Sequence, residues 1–159
     1  MAADRIERET VIEAPVEVVW RVVTEEQHIN RWFTDAAELD LRPHGDGLFT
    51  WDQRAAVQRD EPMTVRLRVE RVERPHAFSF RWGHPEGAEP QEHNSTLVEF
   101  TLMAEGERTR LRVVESGIDA LELAEERRTG FREDHSTGWQ RHIAELAEYA
   151  PSVSAVPQR

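Results

Sequence analysis

The chain has 159 residues, 38% hydrophobic and 32% charged, which is typical of one globular domain. It contains no cysteine, which excludes disulfides and cysteine-based metal sites, and its formal net charge of −11 would repel a phosphate backbone, so we expect no nucleic-acid partner. No apolar run reaches the roughly 18 residues of a membrane span, and the N-terminal residues lack a signal-peptide segment, so we expect a cytoplasmic protein without membrane insertion.

The first quarter of the chain is predicted to form one strand and two short helices. Residues 5–13 alternate with a period of two, which predicts a strand. Pro15 is well placed in a first helical turn, and apolar residues at spacings of three and four predict a helix over 15–24. A second brief helix, with Ile29, Trp32 and Phe33 on one face, is predicted to begin near Glu25 and to pack on the first.

From Ala36 the period of two returns, and polar loops or turns over 43–47, 53–62, 83–94 and 104–107 separate the predicted strands. The apolar residues that share a strand face are Leu39 and Leu41; Phe49 and Trp51; Val65, Leu67 and Val69; Phe78, Phe80 and Trp82; Val98, Phe100 and Leu102; and Leu111 and Val113. Consecutive strands joined by short connections favour an antiparallel meander with one buried face.

After Gly117 the pattern becomes helical. The apolar stripe of this last helix, which Pro151 ends, contains Phe131, His135, Trp139, His142, Ile143, Leu146 and Tyr149. We therefore predict an α+β fold, in which a curved antiparallel sheet of about six to seven strands wraps around a long C-terminal helix. Residues 5–150 form the single domain and 151–159 a disordered tail. A ligand would fit between sheet and helix.

Six segments in this order resemble the helix-grip, START-like superfamily known as SRPBCC, and within it the group named for the activator of the heat-shock-protein ATPase. The segments are VIEAPVEVVWRVVT at 11–24, INRWF at 29–33, GDGLFTW at 45–51, VERVERPHAFSFRW at 69–82, STLVEFTLMAEGERTRLRVVESG at 95–117 and GWQRHIAELAEYA at 138–150. The resemblance implies the helix-grip fold with a deep cavity that holds lipids, polyketides, plant hormones or other apolar molecules.

The resemblance leaves three functions open. Most relatives are binders, which favours a carrier, sequestering or antibiotic self-resistance protein for a small apolar, aromatic or polyketide-like molecule. Some actinobacterial relatives are polyketide cyclases or aromatases. The eukaryotic namesakes activate a chaperone ATPase, but they carry an additional N-terminal domain that these residues do not include, and only the acidic surface supports a chaperone partner. We expect no cofactor.

The candidate site residues lie on the sheet and on the last helix. The aromatic rings either simply fill the core or line a pocket, where they would offer broad contact area to a planar ligand. An interior carboxylate beside a histidine could serve as an acid/base pair. The proposed ligand-binding residues are Trp51, Phe80, Trp82, Phe100, Glu115, Phe131, His135, Gly138 and Trp139, of which Glu115 and His135 are also the catalytic candidates.

Three features have simpler alternatives. Glu115 shares the parity of Leu111 and Val113, but we favour a frayed strand end at which Glu115 reaches water. Gly138 lies in a helix interior, where it makes room either for a bound molecule or for close packing against another backbone. The seven histidines show no HExxH or similar spacing, so we expect no metal site.

Overall fold

The structure, a computed structural model, describes residues 5–52, 61–83, 88–91 and 93–153. The elements follow in the predicted order, with seven strands and three α-helices. They are β1 (Arg5–Ile12), α1 (Val16–Thr24), α2 (Glu26–Trp32), β2 (Ala36–Leu39), β3 (Asp46–Trp51), β4 (Met63–Glu73), β5 (Ala77–Gly83), β6 (Ser95–Glu105), β7 (Arg108–Ser116) and α3 (Glu125–Tyr149). The 3₁₀ turns Ile118–Ala120 and Ala150–Ser152 flank α3.

The seven strands form one antiparallel sheet in the order β1-β7-β6-β5-β4-β3-β2. The first strand therefore pairs with the last, and every other pair is formed by strands consecutive in sequence, as the predicted meander requires. Gly106 has a φ of 67°, which the tight turn between β6 and β7 needs and which L-residues rarely adopt. The α+β prediction with a curved sheet around a long C-terminal helix is confirmed.

The two short helices pack on each other as predicted. The Trp32 indole Nε1 donates to the Val22 carbonyl at 2.8 Å, and this bond ties the end of α2 to α1. The backbone N of Leu39 donates to the Glu26 carboxylate at 2.8 Å, which joins α2 to the edge strand β2. These bonds fix where α2 ends, and therefore where the next residue, Phe33, enters the core.

The long helix α3 differs between its two halves. Its buried residues are Trp139, His142, Ile143 and Leu146, all in the C-terminal half. Among the described residues no helix is both long and apolar enough to cross a membrane. The predicted loops over 53–62 and 83–94 and the predicted tail fall partly outside the described residues.

Candidate functional site

Aromatic side chains from three strands meet α3 on the face of the sheet that the helix covers. The Trp82 ring stacks on Trp139 with centroids 5.8 Å apart, and Trp51 meets Trp82 edge-on at 6.1 Å. Phe100 contacts both Trp139 at 5.8 Å and Phe80 at 6.3 Å. The structure thus brings these five predicted residues together, because alternate residues of neighbouring strands point to one face.

Phe33, which the sequence analysis placed only on the face of α2, is the central ring of this cluster. Its centroid lies 4.9–6.1 Å from those of Trp32, Phe49, Trp51, Trp82, Trp139 and His142. A seven-residue helix has too few turns to show from its spacing what the residue after its C-terminal end meets. The one sequence signal for the position of Phe33 was that two aromatic residues, Trp32 and Phe33, are adjacent in the chain. Because Trp32 bonds to α1, the side chain of Phe33 must point in another direction.

A small apolar cavity of about 10 Å³ lies within the cluster. It has room for about one water molecule. Its lining contains Phe80 and Phe100 of the predicted set, together with residues that the sequence analysis assigned to packing or left unassigned: Val23, Ile29, Trp32, Phe33, Phe49 and Phe78.

Glu115 is fully buried, and the favoured expectation that it reaches water at a frayed strand end is wrong. The strand is not frayed at this point, because Glu115 is paired with Ile6 of β1 on one side and with Val98 of β6 on the other. Its relative exposure is 0%. A carboxylate so placed must have hydrogen-bond donors or a proton.

Four donors surround the Glu115 carboxylate, two at each oxygen. Oε2 accepts from Trp82 Nε1 at 2.9 Å and from Thr96 Oγ1 at 2.5 Å. Oε1 accepts from Trp139 Nε1 at 2.8 Å and lies 2.8 Å from His135 Nδ1. The donors come from β5, β6 and α3, so this one carboxylate joins the sheet to the helix through the indoles of the aromatic cluster.

These donors also set the protonation state of Glu115. Burial raises the pKa of the carboxyl, but the electrostatic attraction to the His135 imidazole and the hydrogen bonds from His135, Thr96 and Trp139 outweigh burial and lower the pKa from the ordinary 4.5 to about 2. The carboxylate is therefore ionised at neutral pH.

His135 is held in one orientation by three neighbours. Its Nδ1 faces Glu115, its ring stacks on Phe131 with centroids 3.7 Å apart at 23°, and the edge of Trp82 meets it at 5.6 Å and 85°. The side chain still keeps 21% of its surface exposed. The two catalytic candidates are therefore in contact, and Phe131 joins the site through His135.

Gly138 does not pack closely against the backbone of another described element, which was the alternative to making room for a bound molecule. Apart from its neighbours in the chain and the backbone of its own helix, no atom of the described residues lies within 4 Å of the position that a Cβ would take at Gly138. Three and seven residues before it on the helix are His135 and Phe131, so this free space borders the same helix face. His142, four residues after it, is buried, with Nδ1 3.2 Å from the Trp32 carbonyl.

Metal ligands do not converge in the part of the chain that the structure describes: it contains no group of three or more His, Asp or Glu side chains arranged to hold an ion. The described site consists of aromatic rings, the ionised Glu115 carboxylate with its donors, and the imidazoles of His135 and His142.

The sequence matches the family described as "Activator of Hsp90 ATPase homolog 1-like protein" over residues 13–150. This match covers most of the described domain. No curated protein matches the chain.

Solved structures share the fold at low sequence identity. DynU16, a protein from the dynemicin biosynthetic locus, is 22% identical, with a TM-score of 0.70 over 94% of this chain and 48% of its own, so the chain spans about half of that length. CalU16 from Micromonospora echinospora is 22% identical, with a TM-score of 0.63, and the match covers 92% of this chain and 75% of CalU16. Aha1 from Colwellia psychrerythraea, solved as a dimer, is 16% identical, with a TM-score of 0.66, and the match covers 91% of this chain and 93% of the Aha1 chain.

Proposed function

Because the chain belongs to the activator of Hsp90 ATPase homolog 1-like family of SRPBCC-type proteins, we propose that it binds a small, planar, mainly apolar molecule between the sheet and α3. The observation that carries the proposal is the convergence of the rings of Trp51, Trp82, Phe100 and Trp139 from sheet and helix. Aromatic surfaces of this kind offer a planar ligand offset-stacked and edge-on contacts. The role is that of a carrier or sequestering protein.

The ligand class is a polyketide-like natural product, and the role includes self-resistance. One structural neighbour comes from the dynemicin biosynthetic locus, and this supports the ligand class that the sequence resemblance implies. The formal charge of −11 disfavours ligands that are anionic in solution, so we expect a neutral or cationic molecule to bind best.

The described cavity of about 10 Å³ holds about one water molecule, so a ligand that occupied this cavity would require the aromatic cluster to open. Within α3, the N-terminal half can move with a smaller loss of buried contacts than the C-terminal half, since the buried residues of this helix begin at Trp139. Side-chain contacts hold this half in place: His135 meets Glu115, the Arg8 guanidinium donates to Ser136 Oγ at 2.5 Å, Arg132 donates to Asp119 at 2.8 Å, and Arg128 donates to the Leu123 carbonyl at 2.6 Å. Gly138 lies at the boundary between the N-terminal and C-terminal halves of α3.

Gly138→Leu tests where the ligand lies. We expect this variant to bind the neutral fluorescent probe N-phenyl-1-naphthylamine at least about tenfold more weakly, a loss of about 1.4 kcal/mol, because the new side chain fills the space beside His135. Its melting temperature should stay within a few degrees of the native value, since no described atom lies within 4 Å of the new Cβ. Fluorescence titration and thermal unfolding measure the two effects.

Gly130→Leu is the matched control. Gly130 also lies inside α3 with no described atom within 4 Å of a Cβ, but its neighbours one turn away, Arg127 and Asp134, are exposed. We expect native affinity for the probe. Equal weakening in both variants, or native affinity in Gly138→Leu, would contradict a site at this part of the helix. A native protein that does not bind the probe at all would contradict the proposed function.

A second function, that of a cyclase or aromatase, is favoured by one observation. Ionised Glu115 holds the His135 imidazole in a fixed orientation, which is the arrangement of a general base with its orienting carboxylate. Such an enzyme would convert a linear poly-β-ketone thioester into a cyclised product, with His135 moving the proton. Mass spectrometry should then detect the product with the native protein and not with His135→Ala. Equal product with both proteins would remove the assignment.

A further inference from the structure

We propose that an aromatic ring of the ligand binds at the position that the Phe33 side chain fills, and that the Phe33 ring rotates out of this position as the ligand binds. This inference rests on the proposed function and adds where the ligand lies in the aromatic cluster and which residue controls its entry. It starts from the central place of Phe33. The Phe33 ring contacts three of the four residues whose convergence carries the proposed function: Trp51, Trp82 and Trp139.

The contacts of the Phe33 ring are those that a planar ligand would make. The ring stacks on Trp139 with centroids 5.3 Å apart and an angle of 22° between the planes. Trp51 meets it edge-on at 5.2 Å and 84°, and Trp82 lies 6.1 Å away at 33°. Offset-stacked and edge-on arrangements are the two that aromatic pairs prefer. A ligand ring at this position would therefore contact the same three tryptophans.

Phe33 is the ring of this group that can leave without breaking a hydrogen bond. Its side chain has no polar atom, whereas each of the three tryptophans donates an indole hydrogen bond inside the core. Trp82 and Trp139 donate to the Glu115 carboxylate at 2.9 and 2.8 Å. Trp51 donates to the Phe33 carbonyl at 2.7 Å. Displacing an indole would leave a buried donor and a buried acceptor without partners, so the phenyl ring moves at lower cost.

The backbone of Phe33 stays in place while its ring moves. The Phe33 backbone N donates to the Ile29 carbonyl at 2.9 Å, and the Phe33 carbonyl accepts the bond from Trp51. Rotation about the side-chain torsions χ1 and χ2 leaves both bonds intact. The apolar cavity of about 10 Å³ adjoins the ring. Because atoms that face a void lack packing partners on that side, the Phe33 ring gives up fewer contacts than a ring packed on all sides would.

Phe33→Ala is therefore expected to bind N-phenyl-1-naphthylamine more tightly than the native protein does, although it unfolds more easily. In the native protein only the molecules whose Phe33 ring is rotated out accept the probe, and this fraction lowers the apparent affinity. The variant leaves the position open for the phenyl ring of the probe. Fluorescence titration, under conditions in which the variant is folded, should give a dissociation constant at least about tenfold lower than the native value.

Leu102→Ala is the matched control. Leu102 is 2% exposed in the same hydrophobic core but does not line the cavity, so its removal opens a void away from Phe33. The two variants lose stability by similar mechanisms, since each removes a large buried apolar side chain. We expect Leu102→Ala to bind the probe within about threefold of the native affinity. Equal tightening in both variants would mean that a loosened core admits the probe at any void, and it would overturn this inference.

A measurement on the native protein alone covers the case in which Phe33→Ala does not fold. Nuclear Overhauser effects between the Phe33 and Trp139 rings should disappear when the probe binds, whereas those between the paired residues Leu102 and Leu111 should persist. Persistence of the Phe33–Trp139 effects in the complex, or an affinity of folded Phe33→Ala no higher than native, would overturn this inference and leave the proposed function standing. A native protein that does not bind the probe would overturn both.

Discussion

Glu115→Gln is expected to lower the free energy of unfolding by about 3 to 5 kcal/mol at neutral pH, the cost of breaking a buried charge pair by changing one partner. The amide keeps one oxygen but replaces the other with an NH₂ donor. That donor then faces either Trp82 and Thr96 or Trp139 and His135, which all donate to the native carboxylate. Urea unfolding followed by circular dichroism measures the loss.

The matched control is Glu99→Gln in the neighbouring strand β6. Glu99 lies between the buried Val98 and Phe100 and therefore points to the opposite face of the sheet, where it is half-buried. We expect a change within about 0.5 kcal/mol. If Glu115→Gln does not fold, Thr96→Val removes one of the four donors and is expected to cost about 1.5 to 3 kcal/mol. A loss at Glu115 no larger than that at Glu99 would contradict the assigned role.

The dependence of this difference on pH separates charge from packing. The folded-state pKa of Glu115, about 2, lies below its ordinary value of 4.5, so the carboxylate contributes stability that is present above pH 4.5 and is lost as the pH falls toward 2. The difference between native protein and Glu115→Gln should therefore shrink by roughly 2 to 3 kcal/mol between pH 6 and pH 2.5. A difference that stays constant over this range would mean that the variant is destabilised by packing alone.

Phe33→Ala is expected to cost about 3 to 5 kcal/mol of stability, the range for removing a large buried ring that the surroundings cannot replace. Phe33 is 4% exposed, and its ring packs on four strand and helix rings besides its neighbour in sequence and His142. The void would adjoin a cavity that Phe33 already lines, so the site cannot close around it completely. Chemical unfolding measures the change.

Phe131→Ala serves as the comparison for Phe33→Ala. The Phe131 ring is half-buried and stacks on His135 near the N-terminal end of α3, so we expect about half or less of the loss seen at Phe33. Similar losses at the two positions would mean that the N-terminal half of α3 contributes as much to the core as the end of α2 does. The expectation that this half of the helix moves would then be wrong.

The sequence by itself determined the elements, their order and the fold class. Strands such as β5 and β7 were predictable because a residue's parity along a strand decides which face it joins, and this depends only on neighbours two residues away. The same local rule placed Trp82 and Glu115 on the covered face, and helical spacing placed His135 and Trp139 on the inner stripe of α3. The family followed from six short segments in a fixed order, and the match over residues 13–150 agrees with it.

Only the tertiary structure decided what these side chains meet. Parity pointed Glu115 inward, but its burial became tenable only through Trp82, Thr96, His135 and Trp139, donors that are 19 to 33 residues away in sequence. The position of Phe33 at the centre of the rings depends on how α2 docks between sheet and α3. Periodicity reports the direction of a side chain within its own element, whereas partners, cavities and charge states depend on the distances between elements, which no local pattern contains.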